Sequence, residues 1–323
     1  MTLIRKRNAE KKRIRNDLKN PWSSALEHPR YPRSISYETA FNKNSLMEES
    51  NRQITEFIKQ SYGIDVSKFD DSFLIRSLQK SHIETQTSSD KVYSTVLEKN
   101  EIEGKAFLES LNISYTEFFR NPLTFAVLER IILPSIGLKK GNSKRKEIRV
   151  WSAACAAGQE AYSLAILFEE LINDGNDKLN YRIFGTDQKD SQVKEAQKGR
   201  YVATNLNNLN LRRVKQWFTN KDDTYTVNQE LKRNIDFSVF DLFDEQLGCP
   251  PASIFGDFDL VICANLLFYY KPKYQKIILE KMGNCIAKGG YLITGETERD
   301  IVLKHNYCEV YPQSAIFQKI GHW

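Results

Sequence analysis

A chain of 323 residues, 41% hydrophobic and 27% charged, has the composition of a globular protein of about two domains, which excludes fibrous and wholly disordered classes. No run of about 18 apolar residues occurs and the first thirty residues are too charged for a secretory signal, so the sequence points to a cytoplasmic protein without membrane insertion. The cysteines (Cys155, Cys249, Cys263, Cys285, Cys308) form no C-x-x-C pair and the four histidines are scattered, so neither a disulfide framework nor a metal site is expected.

In chain order, residues 1–48 come first and hold much of the +6 net charge, with Arg5, Lys6, Arg7, Lys11, Lys12 and Arg13 close together. This stretch reads as a basic, flexible extension; an arm for nucleic acid or anionic lipid is the sharper alternative, but the aromatic interleaving of a single-strand binder is weak there. Ile54, Phe57, Ile58 and Tyr62 then recur at three- and four-residue spacing, and similar stripes continue to Leu111, which predicts a small helical domain over 49–135. Pro134, Gly137, Gly141 and the charged run after them read as a linker into a second domain, 136–323.

From Glu147 the pattern changes. The runs IRVWSA (148–153), YRIFGT (181–186), IDFSVF (235–240), FDLVIC (258–263) and GGYLIT (289–294) alternate with helical stretches, one of them starting near Pro272. Strands alternating with helices predict βαβ units and a Rossmann-like, mostly parallel sheet covered on both faces. Two more extended runs between Tyr307 and Lys319 lack an intervening helix and predict an antiparallel edge hairpin, a methyltransferase-type sheet rather than a full dinucleotide fold.

Ligands of open α/β sheets bind outside the carboxyl ends of the strands, so the segments following each strand carry the chemistry. After the first lies Ala153-Ala154-Cys155-Ala156-Ala157-Gly158-Gln159-Glu160, small residues that allow close backbone approach but lack the G-x-G-x-x-G and G-K-[ST] signatures of dinucleotide and phosphate loops. Asp187 ends the second strand, where a carboxylate can accept both hydroxyls of a ribose; Asp190 or Ser191 is then expected to cap the next helix. Phe240-Asp241-Leu242 offers a bed for adenine, and Cys263 to Tyr270 a place for a reacting group.

These segments resemble the CheR-type chemotaxis receptor glutamate O-methyltransferases. The resemblance runs from about Ile54 to Lys319 and is carried by Thr116-Glu117-Phe118-Phe119-Arg120-Asn121-Pro122, by VWSAACAAGQEAYSL (150–164), by Phe184-Gly185-Thr186-Asp187 with Gly199-Arg200-Tyr201, and by CANLLFYY (263–270) with GGYLITGETE (289–298). It implies a helical domain before a class I methyltransferase domain, a small β-subdomain around 217–237, and S-adenosylmethionine, with S-adenosylhomocysteine as product, in a cleft between the two domains. Carried over by position, the implied cofactor-binding residues are Ser114, Thr116, Arg120, Gly158, Glu160, Asp187, Asp241, Leu242, Ala264 and Asn265, and the implied catalytic residues Arg120 and Tyr269. Ser114, Ala157, Gln159, Asp241 and Ala264 depart from the family pattern, Ala264 standing where an arginine is usual.

A glutamate carboxylate is ionised at neutral pH, so methylating it requires placement and dehydration but no general base. The Arg120 guanidinium matches a carboxylate in two-point geometry. By spacing alone Phe118 and Phe119 read as core, whereas the resemblance brings them to the cofactor. The partners implied are the cytoplasmic domains of chemotaxis receptors, for a monomeric enzyme. The alternatives are a relative with a different acceptor and a regulatory module that binds cofactor without turnover.

Overall fold

A computed structural model of the protein describes residue 52 and residues 54–87, 90–111, 115–141, 146–175, 179–253 and 256–321. The basic stretch 1–48 and Ser114 lie outside the described residues.

The first described part is helical: α1 (54–62), α2 (Asp71–Thr85), α3 (Asp90–Lys99) and α4 (Glu101–Ser110). Their three- and four-residue apolar stripes meet in one cluster that includes Ile54, Ile58, Phe73, Leu78, Tyr93, Leu97 and Phe107. Asp70 caps α2 by accepting from the amides of Ser72 and Phe73, and Asn100 caps α4 in the same manner.

Next come α5 (Pro122–Val127), a π-helical turn (Leu128–Ile132) and α6 (Leu133–Gly141). This corrects the linker expected at Pro134, Gly137 and Gly141, which are helical. Proline has no amide to donate and its ring crowds the carbonyl four residues earlier. The π turn, closed by Leu133 N–H on the Leu128 carbonyl, widens the helix just before Pro134.

The sheet contains β1 (Glu147–Ala153), β2 (Asn180–Asp187), β6 (Ile235–Val239), β7 (Phe258–Ile262), β8 (Ile286–Ile293), β9 (Tyr307–Glu309) and β10 (Ile316–Lys319) in the order β6-β2-β1-β7-β8-β10-β9. The first five run parallel, and β10 pairs antiparallel with both β8 and β9. The crossover helices are α7 (Gln159–Asn173) after β1, α8 (Asp190–Lys198) after β2 and α11 (Pro272–Cys285) after β7. A separate three-stranded antiparallel sheet, order β3-β5-β4, is built from β3 (Arg200–Val202), β4 (Phe218–Lys221) and β5 (Thr224–Val227), with the short helices α9 (Leu211–Trp217) and α10 (Gln229–Lys232) beside it in the chain.

Two apolar clusters cover the main sheet. One joins α5, α7 and the three-stranded sheet to Ile148, Val150, Ile183, Ile262 and Ile293; the other joins α11 to Trp151, Phe184, Val261, Leu292 and Phe317. Adjacent residues such as Val150 and Trp151, Ile183 and Phe184, and Leu292 and Ile293 point to opposite clusters, as the two-residue side-chain period requires. No helix among the described residues is long and apolar enough to cross a membrane.

Candidate active site

The carboxyl ends of β1, β2, β6 and β7 open into a cleft of about 1210 Å³, its solvent-filled mouth included, with residues 115–128 as the facing wall. It opens where strand order reverses about β1, the position at which open α/β sheets bind ligands.

The loop after β1 has an unusual backbone: Ala154 (φ 57), Ala156 (φ 46) and Gly158 (φ 92) are all left-handed. For alanine this conformation costs roughly 1–2 kcal/mol per residue, so other contacts must hold it. They are the Cys155 amide on the Thr186 carbonyl (2.8 Å), the Ala156 amide on Asp187 Oδ2 (3.0 Å) and the Tyr201 hydroxyl on the Ala157 carbonyl (2.7 Å). Asp187 also accepts from the Lys189 amide at 3.0 Å. Each of its oxygens accepts one such bond and so has a further lone pair to offer, Asp187 lines the cleft, and burial raises its pKa above the usual carboxylate value. Lys189 stands at the N-cap of α8 without a side-chain cap, and Asp190 instead pairs with Lys194, so the capping expected from Asp190 or Ser191 is corrected.

Glu160, in the first turn of α7, accepts from the Ser152 hydroxyl at 2.6 Å. Burial pushes its pKa up to about 7, with the Glu298 charge adding to the rise and the Ser152 hydrogen bond and Arg120 opposing it. Arg120 donates to the Tyr115 carbonyl at 3.0 Å, and its guanidinium lies 5.2 Å from the Tyr115 ring centre.

The turn after β7 is built on Glu298, which is fully buried. Its carboxylate accepts from the amides of Gly295 (2.6 Å), Asn265 (2.8 Å), Leu266 (2.7 Å) and Leu267 (2.6 Å). These bonds hold Asn265 in a left-handed conformation (φ 62) at the cleft wall. A Cβ at position 295 would lie 2.5 Å from Asn265 Nδ2, so glycine is required there. Tyr269, further along the turn, is tied to the helical part: its carbonyl accepts from the Asp70 amide at 2.8 Å, Phe69 and Tyr270 form a β-bridge, and the Lys271 amide reaches the Lys68 carbonyl at 3.0 Å. Burial raises the Tyr269 phenol above its usual range, which keeps it protonated and able to donate.

Thr116, Arg120, Glu160, Asp187, Asp241, Leu242, Ala264, Asn265 and Tyr269 all line this one cleft. Gly158 does not: a Cβ there would lie 2.9 Å from Ala196 Cβ, so it serves the packing of α7 against α8. Phe118 and Phe119 are core, Phe118 meeting Tyr201 edge-on at 5.0 Å and Phe119 lying 5.1 Å from Phe125; the spacing-based reading of the pair holds. Among the residues that sequence reasoning left out of the site are Thr124, Lys189 and Phe69 on the cleft wall and Glu298, which holds the turn of Asn265. Of these only Glu298 had a signal, as the last residue of GGYLITGETE.

The donor set fits a nucleoside joined to an amino acid. Asp187 offers acceptors for ribose and Phe240 with Leu242 an apolar bed for a base, while Glu160 and Arg120 bring opposite charges for an amino-carboxylate end. Strand order, antiparallel hairpin and cleft together define a class I S-adenosylmethionine-dependent methyltransferase. The sequence profile of the CheR methyltransferase SAM-binding domain matches residues 114–314. A chemotaxis protein methyltransferase of Borreliella burgdorferi is 28% identical over 287 residues, 87% of this chain and 98% of the relative. Those of Listeria innocua (26% over 253 residues, 78% of this chain and 91% of the relative) and Escherichia coli (26% over 260 residues, 79% and 85%) are also similar. The chain belongs to the CheR methyltransferase family.

Proposed function

We propose that the protein methylates glutamate side-chain carboxylates on the cytoplasmic domains of chemotaxis receptors, acting in the cytoplasm as a monomer. The observation that carries this reading is the convergence of Arg120, Glu160, Asp187, Asn265 and Tyr269 on one cleft. S-adenosylmethionine, when bound, supplies an electrophilic methyl group on sulfur.

Asp187 would hold the ribose hydroxyls as acceptor, Asp241 and Leu242 would hold the base, and Thr116, Ala264 and Asn265 line the remaining wall. Gly158 acts indirectly by shaping the loop after β1. Arg120 orients the incoming carboxylate, which is ionised at neutral pH and needs no base to remove a proton. Tyr269 keeps its phenolic proton and donates it as a hydrogen bond beside the acceptor. Enclosure between residues 115–128 and the strand ends removes water from the acceptor carboxylate.

The side chain at position 264 favours a second reading, a different acceptor, because Ala264 presents only a methyl group to the cleft. The test incubates purified protein with methyl-labelled cofactor and receptor cytoplasmic fragments. Base-labile methyl esters on glutamate are expected. Label that stays in the cofactor, although the protein binds it, would sink the receptor assignment.

A further inference from the structure

Thr124 occupies the third position of α5 and lines the cleft, yet it is only 1% exposed and its Oγ1 finds no hydrogen-bond partner among the described residues. Buried hydroxyls are almost always paired, and a threonine in a helix ordinarily turns to a nearby backbone carbonyl. An unpaired one beside a ligand cleft points to a group that arrives with the ligand.

The neighbours of Thr124 locate it within the cleft. Phe125 and Leu128 belong to the apolar cluster of Ala161, Leu164, Ile262 and Ile293, against which Ala264 packs. Phe240 and Leu242, beside Asp241, belong to the cluster on the other face. Thr124 and Glu160, the latter in the first turn of α7, line the same cleft. There Glu160 uses Oε1 for Ser152, and Oε2 accepts from no described residue. A hydroxyl oxygen and a carboxylate oxygen, both without donors, suit a compact cation with several N–H groups. Arg120 and Lys189 are the only lysine or arginine side chains lining the cleft among the described residues; Arg120 donates to the Tyr115 carbonyl, and neither donates a hydrogen bond to Thr124 or Glu160.

We propose that Thr124 Oγ1 and the Glu160 carboxylate together hold the α-ammonium group at the amino-acid end of the cofactor, which makes Thr124 a cofactor-binding residue. This rests on the cofactor reading above. The hydroxyl accepts one N–H while the carboxylate takes another, and Arg120 is left for carboxylates.

The test is calorimetric binding of two ligands to the full chain: S-adenosylhomocysteine, and 5′-methylthioadenosine, which keeps the nucleoside and sulfur but lacks the amino-acid end. Thr124→Val, nearly isosteric, is expected to weaken S-adenosylhomocysteine about tenfold and to change 5′-methylthioadenosine by less than about twofold. Thr124→Ser, which keeps the hydroxyl, should retain wild-type affinity for both. If Thr124→Val does not melt cooperatively, Thr124→Ala gives the same comparison. Equal weakening of both ligands, or no weakening of either, overturns the assignment of Thr124 while leaving the cofactor reading in place. A wild-type protein that binds neither ligand overturns both.

Discussion

The amide of Ala156 donates to Oδ2 of Asp187 across 3.0 Å, joining the left-handed loop after β1 to the end of β2. One carboxylate thus holds a strained backbone in place and faces the cleft where ribose is proposed to bind. Asp187→Ala removes both contributions. It is expected to weaken S-adenosylhomocysteine by more than the roughly 1.5–3 kcal/mol of one charged hydrogen bond and to lower the melting temperature as well. Asp187→Asn, which keeps one acceptor oxygen, should fall between. Calorimetry and thermal melts on the three proteins check this; an unchanged affinity in Asp187→Ala would return Asp187 to a structural role alone.

A second prediction concerns pH. Burial pushes Glu298 from its ordinary 4.5 up to about 7, against the pull of four backbone amides. The folded protein then binds a proton that the unfolded chain has released, so stability is full below the ordinary value and declines as pH rises toward 7. The contribution is on the order of 3 kcal/mol for a shift of this size, and Glu160, also pushed up to about 7, adds to the same slope. The wild-type melting temperature should therefore fall between pH 5 and pH 7.5, a window set by those two pKa values. Glu298→Gln should flatten that fall and lower stability at every pH, since its NH₂ group would face backbone donors. Identical slopes in both proteins would place the titration elsewhere.

The strands were legible because a parallel sheet covered on both faces buries nearly every position, as Val150, Trp151, Ser152 and Ala153 are buried along β1. Asp187 was legible from its place at a strand end. Its partner was not, because Ala156 lies 31 residues away and an alanine gives no local sign of a left-handed backbone. Phe69 likewise reaches the cleft only because residues 66–71 fold back onto the turn of Tyr270. Thr124 reads locally as an ordinary helical residue, and only tertiary burial without a partner sets it apart. Pro134 and Gly137 misled because local statistics treat them as breaks, whereas a π turn and surrounding packing keep the helix intact.

The last prediction turns on charge at the mouth of the cleft. Arg120 is braced by the Tyr115 carbonyl and ring, and position 264 supplies no second cation. If a receptor glutamate is the acceptor, Arg120 carries most of its orientation. Arg120→Ala is then expected to reduce methyl-ester formation at least about a hundredfold, the scale for losing a charged group aimed at the reacting centre, while Tyr269→Phe costs far less. Ala264 is half-buried against the apolar cluster of Ile262 and Ile293, so an arginine there must extend into the cleft. With a carboxylate acceptor, Ala264→Arg should leave turnover unchanged or raise it. With a neutral or bulkier acceptor, the same substitution should block the site and bury an unpaired charge, lowering turnover. Initial rates on receptor fragments, measured beside cofactor affinity for each variant, separate the two: a loss of turnover in Ala264→Arg with cofactor binding intact would count against the glutamate acceptor.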